Sequence, residues 1–565
     1  MQKLLKLPML IISLVQGLFL YALYHAIENH SWPSESPLWS YPLWTVALMV
    51  PLLLLLSIDR DNYKSVLRHV ALLGTVLALL AIYTGYQAEP YGEFPIANLS
   101  LVFACGITLA CFKALMYLQQ RAGNVALSYQ VLFTNSWRNF LVGALSALFV
   151  LVFWLILTLW GLLFKVIDID FFWTLFREEW FLYPVLSVAF GTGVIIFRDL
   201  TKVIDNITRL FHWLFKLLLP LVIGIAVIFV AALPFVGLDA LWSTGRGTAL
   251  LLSLLAIALF FANAVYQDGR ETSPYPLFIH RMIYGGLCIL PIVSALSFYG
   301  LTQRLLQYGW TIERCWAFVV WLVFSLFAVG YVVGIIRRRD EWTRGLAQVN
   351  TVMGIVVLVL MLLVNSPLLD FRKISLASQL NRVESGEIEL REFDFWYARN
   401  HLARPGYLAM EKIKADIGDS DPELLASATS PTRTAPGIAL VDASKFWEQL
   451  DYRPQAFEVP ESLRTMIEQV ARQPHQAGVS AILFQIDMDE DGQDEYLLVS
   501  PNEYGLGVSQ FYYRDANGWR SSYLQLAATN GVEDVAEQLQ HGDIETVAPR
   551  FKDVNVGDIR LSPIP

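Results

Sequence analysis

Asp487, Asp489, Asp491, Gln493 and Glu495 stand at alternate positions of one short segment, DMDEDGQDE. Side chains spaced in that way can converge on a hard cation. The three aspartates would supply side-chain oxygens and Gln493 its main-chain carbonyl. Glu495 would complete the shell, and Gly492 permits the sharp turn. Six of the nine positions 487–495 are acidic, so an empty loop repels itself. The expected ion is Ca2+, in a structural rather than a catalytic role. A plain acidic hairpin turn accounts for the same residues, because Asp and Gly are favoured in turns anyway.

The flanks narrow the type of loop. Residues 480–486 and 496–500 are apolar runs that read as strands, whereas an EF-hand needs flanking helices. It also needs a bidentate Glu at the twelfth loop position, which here is Leu498. The segment is similar instead to the calcium-loop hairpins of FG-GAP-type repeats. Only one copy is present, so no propeller is implied. A second hairpin is predicted where Gly507–Arg514 and Trp519–Leu526 alternate around Asp515, Ala516, Asn517 and Gly518. Helices are predicted over Asp442–Leu450, Glu461–Gln473 and Val532–Gln540, and Ile544–Ile564 reads as strand-rich. Together these make a small soluble α+β domain with an antiparallel sheet over 438–565. A Ser/Thr/Pro-rich stretch, 427–437, reads as its linker. Before it, residues 368–426 form a helical juxtamembrane segment, with helices over Ser375–Val383 and Phe393–Ile417.

The remaining two-thirds of the chain is of another kind. The 565 residues are 55% hydrophobic and 16% charged, with a mean hydropathy of +0.47. Apolar runs of about 18 residues or more read as bilayer spans. Eleven such runs fill residues 1–367, so the expected fold is an all-α polytopic membrane bundle of about eleven transmembrane helices, followed by the soluble domain. Charge divides the same way. Residues 1–367 carry 23 Lys and Arg against 18 Asp and Glu, a net +5, and residues 368–565 carry 18 against 32, a net −14. An acidic soluble half argues against nucleic acid as a partner. The four cysteines, Cys105, Cys111, Cys288 and Cys315, all lie in or beside spans. They form no CxxC pair and read as small buried hydrophobes.

Basic residues mark the cytoplasmic ends of spans. Eighteen of the 23 Lys and Arg fall at one set of alternate connections, including Arg60, Arg121, Arg198 and Arg337, and five fall at the other. The N-terminus is therefore expected in the cytoplasm, and an odd number of spans carries the soluble domain to the outside. In a Gram-negative cell that places the bundle in the inner membrane and the domain in the periplasm. Arg198–Trp213 alternates charge with Leu and Ile. It reads equally as a helix lying on the inner leaflet or as a plain connecting helix.

Chemistry inside the spans is sparse. No acidic residue lies near the centre of a span, and coupled transporters need such groups. Lys113 sits in the fourth span toward its inner end, where it can snorkel. There is no Walker loop, HExxH, GxSxG or kinase signature, so no catalytic residue is assigned and the reading leans away from an enzyme. Asn263, Tyr266, Asp268 and Arg270 form a candidate polar site at the cytoplasmic face.

Three segments carry a resemblance: Asn263-AVYQDG, Gln307-YGWTIER, and the run from Ile374 to Gly406, ISLASQLNRVESGEIELREFDFWYARNHLARPG. Together they resemble the bacterial polytopic membrane proteins grouped as domain-of-unknown-function family 4153. The resemblance implies an inner-membrane placement and brings no activity, substrate or site residues. The residues themselves lead to a non-enzymatic inner-membrane protein whose periplasmic domain binds a protein partner, an envelope component or an ion. The rival reading is a transporter or lipid-handling protein with the soluble domain as gate or accessory, because eleven spans are many for an anchor.

Overall fold

The computed structural model describes residues 5–123, 126–237, 241–242, 246–266 and 274–418. Beyond these it describes 421, 424–425, 428, 447, 450–453, 457–471, 481–488, 492–502, 505–515, 518–523, 554–556 and 559–561. Two compact units emerge: residues 1–387 with 398–413, and residues 388–397 with 414–565.

In lipid the backbone must satisfy its own hydrogen bonds, which favours helices. Among the described residues, eleven helical stretches are long and apolar enough to cross a membrane. The chain is thus a multi-pass membrane protein. The helices are α1 (Lys6–Glu28), α2 (Pro37–Ser57), α3 (Tyr63–Gln87), α4 (Ala97–Ala122) and α5 (Tyr129–Lys165). A short α6 (Phe171–Leu175) precedes α7 (Glu179–Asp199), α8 (Thr201–Val236) and α9 (Gly247–Tyr266). One stretch is made of α10 (Leu277–Leu287) and α11 (Leu290–Tyr308); α12 (Ile312–Arg338) and α13 (Thr343–Val364) complete the bundle. Both α5 and α8 begin well before their apolar runs. No Gly or Pro lies in 129–140 or 201–214 to stop a helix. Residues 201–213 therefore continue into the span as one helix.

Packing divides the bundle into two halves. Met9, Leu53, Leu77, Ile107 and Val194 belong to one buried cluster, drawn from α1–α5, α7 and the start of α8. Leu219, Leu255, Ile283, Leu290, Ala328 and Leu346 belong to another, drawn from α8–α13. Small residues let backbones meet in the first half. A Cβ on Gly17 of α1 would fall 2.5 Å from the Cα of Pro184 on α7.

Arg198, 4% exposed, ties three elements of the first half together. Its Nη1 donates to the carbonyls of Leu55 (2.7 Å) and Ile58 (3.1 Å) at the end of α2, and its Nη2 meets Asp59 Oδ1 at 3.0 Å. Arg138 of α5 donates in turn to the Arg198 carbonyl at 2.9 Å. Burial pushes the Asp59 carboxyl above its ordinary range, and Arg198 opposes that rise. Desolvation outweighs attraction, so the pair is a poor source of net stability, but stranding one member is costly.

Past the last span, Asp370 caps α14 (Phe371–Glu384) by accepting from the Arg372 amide at 3.0 Å. Its other oxygen accepts from the Tyr83 hydroxyl of α3 at 2.6 Å. The expected helix over Phe393–Ile417 is instead two, α15 (Phe395–His401) and α16 (Ala403–Ile417). Pro405 cannot donate to a continuing helix, and Ala403 turns the chain with φ +49°.

The second unit holds a five-stranded sheet in sequential order, β1 (Asp451–Arg453), β2 (Ile482–Ile486), β3 (Glu495–Asn502), β4 (Gly505–Asp515) and β5 (Gly518–Tyr523). The α+β character is as expected, with one difference. The pairs from β2 to β5 are antiparallel, but β1 runs parallel to β2. Parallel neighbours need a crossover, and α17 (Glu461–Ala471) lies between them in sequence. Leu463 and Ile467 of α17 pack with Leu483, Leu498 and Tyr512 of the sheet. A separate pair, β6 (Val554–Val556) and β7 (Ile559–Leu561), is antiparallel. Apart from residue 428, the linker 427–437 lies outside the described residues, as do the expected helix over 532–540 and most of that over 442–450.

The Arg198 clamp predicts a specific asymmetry. Arg198→Met should lower stability by about 3 kcal/mol, because Asp59 and two helix-end carbonyls lose their donor. Adding Asp59→Asn should recover part of that loss. Unfolding of the detergent-solubilised protein measures both, and an unchanged midpoint in Arg198→Met would mean the clamp holds nothing.

Candidate functional site

The acidic loop joins β2 to β3, whose register pairs Ile486 with Glu495. Gly492 takes φ +83°, a turn that favours glycine. Its amide donates to Asp487 Oδ2 at 3.0 Å, closing the loop from within. Glu495, 7% exposed, accepts from the Met488 amide at 2.8 Å, and Gln485 donates to Asp494 at 2.7 Å. Gln493 is exposed. Asp489 and Asp491 lie outside the described residues. Among the described residues no three His, Cys, Asp or Glu side chains converge as metal ligands. The hairpin thus brings Asp487 and Glu495 to its two strand ends, each already holding a backbone N–H.

A second site lies within the bundle, at the seam between its two halves. It is a cavity of about 430 Å³ walled by α4, α5, α9, α12 and α13. The walls follow helical spacing. Tyr129, Leu132, Phe133, Ser136, Trp137 and Phe140 make one stripe of α5. Lys113, Met116 and Tyr117 line it from α4, and Phe260, Asn263 and Ala264 from α9. Phe140 and Phe260 on its wall are 55% and 51% exposed, so the cavity reaches the outer surface of the bundle at these two rings.

One end of the cavity is polar, and Asn350 of α13 is its hub. Asn350 accepts from the Tyr331 hydroxyl at 2.7 Å. Its amide nitrogen donates to Tyr129 Oη at 2.8 Å and to Asn263 Oδ1. Tyr129 also donates to Asn263 Oδ1, at 3.3 Å. Two donors on that oxygen fix the orientation of the Asn263 amide, and the Asn263 side chain also hydrogen-bonds the Tyr331 hydroxyl. Tyr117 donates to the Thr351 carbonyl at 2.9 Å. A buried polar network of this kind holds a fixed shape because each member has a defined partner.

Of the four residues expected at a polar face, Asn263 belongs to this network. Tyr266 turns away to pair with His280, Oη to Nδ1 at 3.0 Å. Asp268 and Arg270 lie outside the described residues. Lys113 differs from its expected snorkelling role: it is half-buried and lines the cavity, with no hydrogen-bond or ion-pair partner among the described residues. Sequence reading passed over the cavity because its wall comes from five helices. The α5 stripe, with Ser136 inside an aromatic face, was the available signal.

A family model described as a domain of unknown function, DUF4153, matches residues 8–413. That range contains the cavity and the eleven candidate spans, save the first two residues of α1, and it ends before the acidic loop. No curated protein and no solved structure matches the chain.

Proposed function

The chain belongs to the DUF4153 family, a domain of unknown function, and we propose from its own residues that it is a lipid-handling protein of the bacterial inner membrane. The lateral cavity carries this reading. It pairs an apolar, aromatic wall open to lipid with a fixed polar end, the two-part surface that an amphiphile requires. The position of the cavity inside the matched range favours it over the soluble module as the seat of a function common to the family. Among the described residues no catalytic constellation supports an enzymatic role.

The orientation follows from charge. The distribution of Lys and Arg puts the N-terminus in the cytoplasm and the soluble module in the periplasm. The polar end of the cavity then faces the inner leaflet, since Lys113, Tyr129 and Asn350 lie toward the same helix ends as Arg121 and Arg138.

A second reading keeps the acidic loop as a calcium site in the periplasm, with the module binding an envelope partner. The observation that favours it is loop closure by Asp487 on the Gly492 amide, which holds the chain turned before any ion arrives.

Three outcomes are expected. Ser136→Trp fills the cavity, and mass spectrometry of the purified protein should find phospholipid reduced to the level of a detergent blank. Wild-type lipid content in a folded Ser136→Trp protein would reduce the cavity to packing. A cysteine placed at Ser462, exposed on α17, should react with a membrane-impermeant maleimide from the periplasmic side in a chain lacking its native cysteines. Labelling only after lysis would reverse the orientation. Calorimetric titration of the full chain with Ca2+ should give saturable heat that Asp489→Asn abolishes. Equal traces would leave the loop a turn.

A further inference from the structure

We propose that the cavity selects an acidic phospholipid, with Lys113 as the counter-charge to its phosphate. This inference builds on the lipid-handling reading and names the class of ligand. Two groups on the cavity wall have no acceptor among the described residues: the Lys113 ammonium and the Ser136 hydroxyl. The described hydroxyls and amides of Tyr117, Tyr129, Tyr331 and Asn350 are engaged with one another or with backbone. Among the described residues no Asp or Glu lines the cavity. Those residues therefore offer a cation and a neutral donor, and no carboxylate.

An unpaired ammonium within a bundle is costly, and pairing with an anion removes most of that cost. Hydrogen bonds from the Lys113 ammonium and the Ser136 hydroxyl suit a phosphate oxygen. The absence of a lining carboxylate sets the headgroup class. A zwitterionic lipid brings its own ammonium, which would find no counter-ion beside Lys113. A lipid whose headgroup ends in hydroxyls brings only negative charge. The opening at Phe140 and Phe260 makes the bilayer the source, since acyl chains can lie along the α5 stripe while the phosphate reaches Lys113.

The test uses the full-length protein in nanodiscs of phosphatidylcholine containing a minor share of phosphatidylglycerol, with retained lipid identified by native mass spectrometry. The wild type should enrich phosphatidylglycerol over its share. Lys113→Met should lower that enrichment about tenfold, the effect of losing one charged hydrogen bond. Lys113→Arg should keep most of it. Ser136→Ala should weaken it less than Lys113→Met, with the thermal midpoint unchanged, which guards against misfolding as the cause. Enrichment in Lys113→Met equal to wild type overturns the inference, as does retention of both lipids in proportion to their abundance. Complete displacement of phosphatidylglycerol by millimolar inorganic phosphate also overturns it, because the site would then serve a free anion. If the wild type retains no phospholipid of either kind, the lipid-handling reading itself fails; retention without preference removes only the headgroup assignment.

Discussion

A helix bundle in lipid has no water to complete a hydrogen bond, and almost every polar feature of this protein answers to that constraint. Hydroxyls within the spans bond back to their own helix: Ser13 to the Met9 carbonyl, Thr84 to Leu80, Ser146 to Val142 and Thr192 to Val188. Helix ends that turn within the bundle receive side-chain donors, as α2 does from Arg198. The tyrosine–asparagine network around Asn350 is the same rule applied between helices. A few buried polar atoms, Trp342 Nε1 and Gln120 Oε1 among them, have no hydrogen-bond partner among the described residues, and Lys113 is the one charged group on the cavity wall that joins them.

The bundle was legible because membrane spans are set by composition over a long window, and no tertiary contact can disguise an apolar run of that length. The limits of α5 and α8 were not, because hydropathy marks where lipid begins and not where a helix begins. The β2–β3 and β4–β5 hairpins were legible from Gly492 and Gly518 in short polar turns between apolar runs. The parallel edge strand β1 was not. Three residues with no alternation, paired across an intervening helix, leave no local signal.

The two candidate sites differ in the same way. The acidic loop is contiguous in sequence, so its composition announced it, while its chemistry depends on how side chains converge. The cavity is assembled from positions as far apart as Lys113 and Gly354. Each contributing residue has an ordinary explanation alone: an interfacial lysine, an aromatic belt, a polar residue in a loop-proximal turn of helix. Only the packing of α4 and α5 against α9, α12 and α13 turns them into a surface with two characters. The seam between the halves of the bundle is where such a surface can form without interrupting either core.

The opening at Phe140 and Phe260 changes what affinity means. A pocket facing water meets its ligand at whatever concentration is dissolved, and occupancy depends on strength of binding. A pocket facing a bilayer is bathed in a two-dimensional solvent made of candidate ligands, and it is always full. Its property is then an exchange constant, the preference for one headgroup over its neighbours. On the lipid-handling reading, a modest difference in contact energy suffices to fix which molecule resides there, and the composition of the surrounding leaflet becomes the variable that such a site reads.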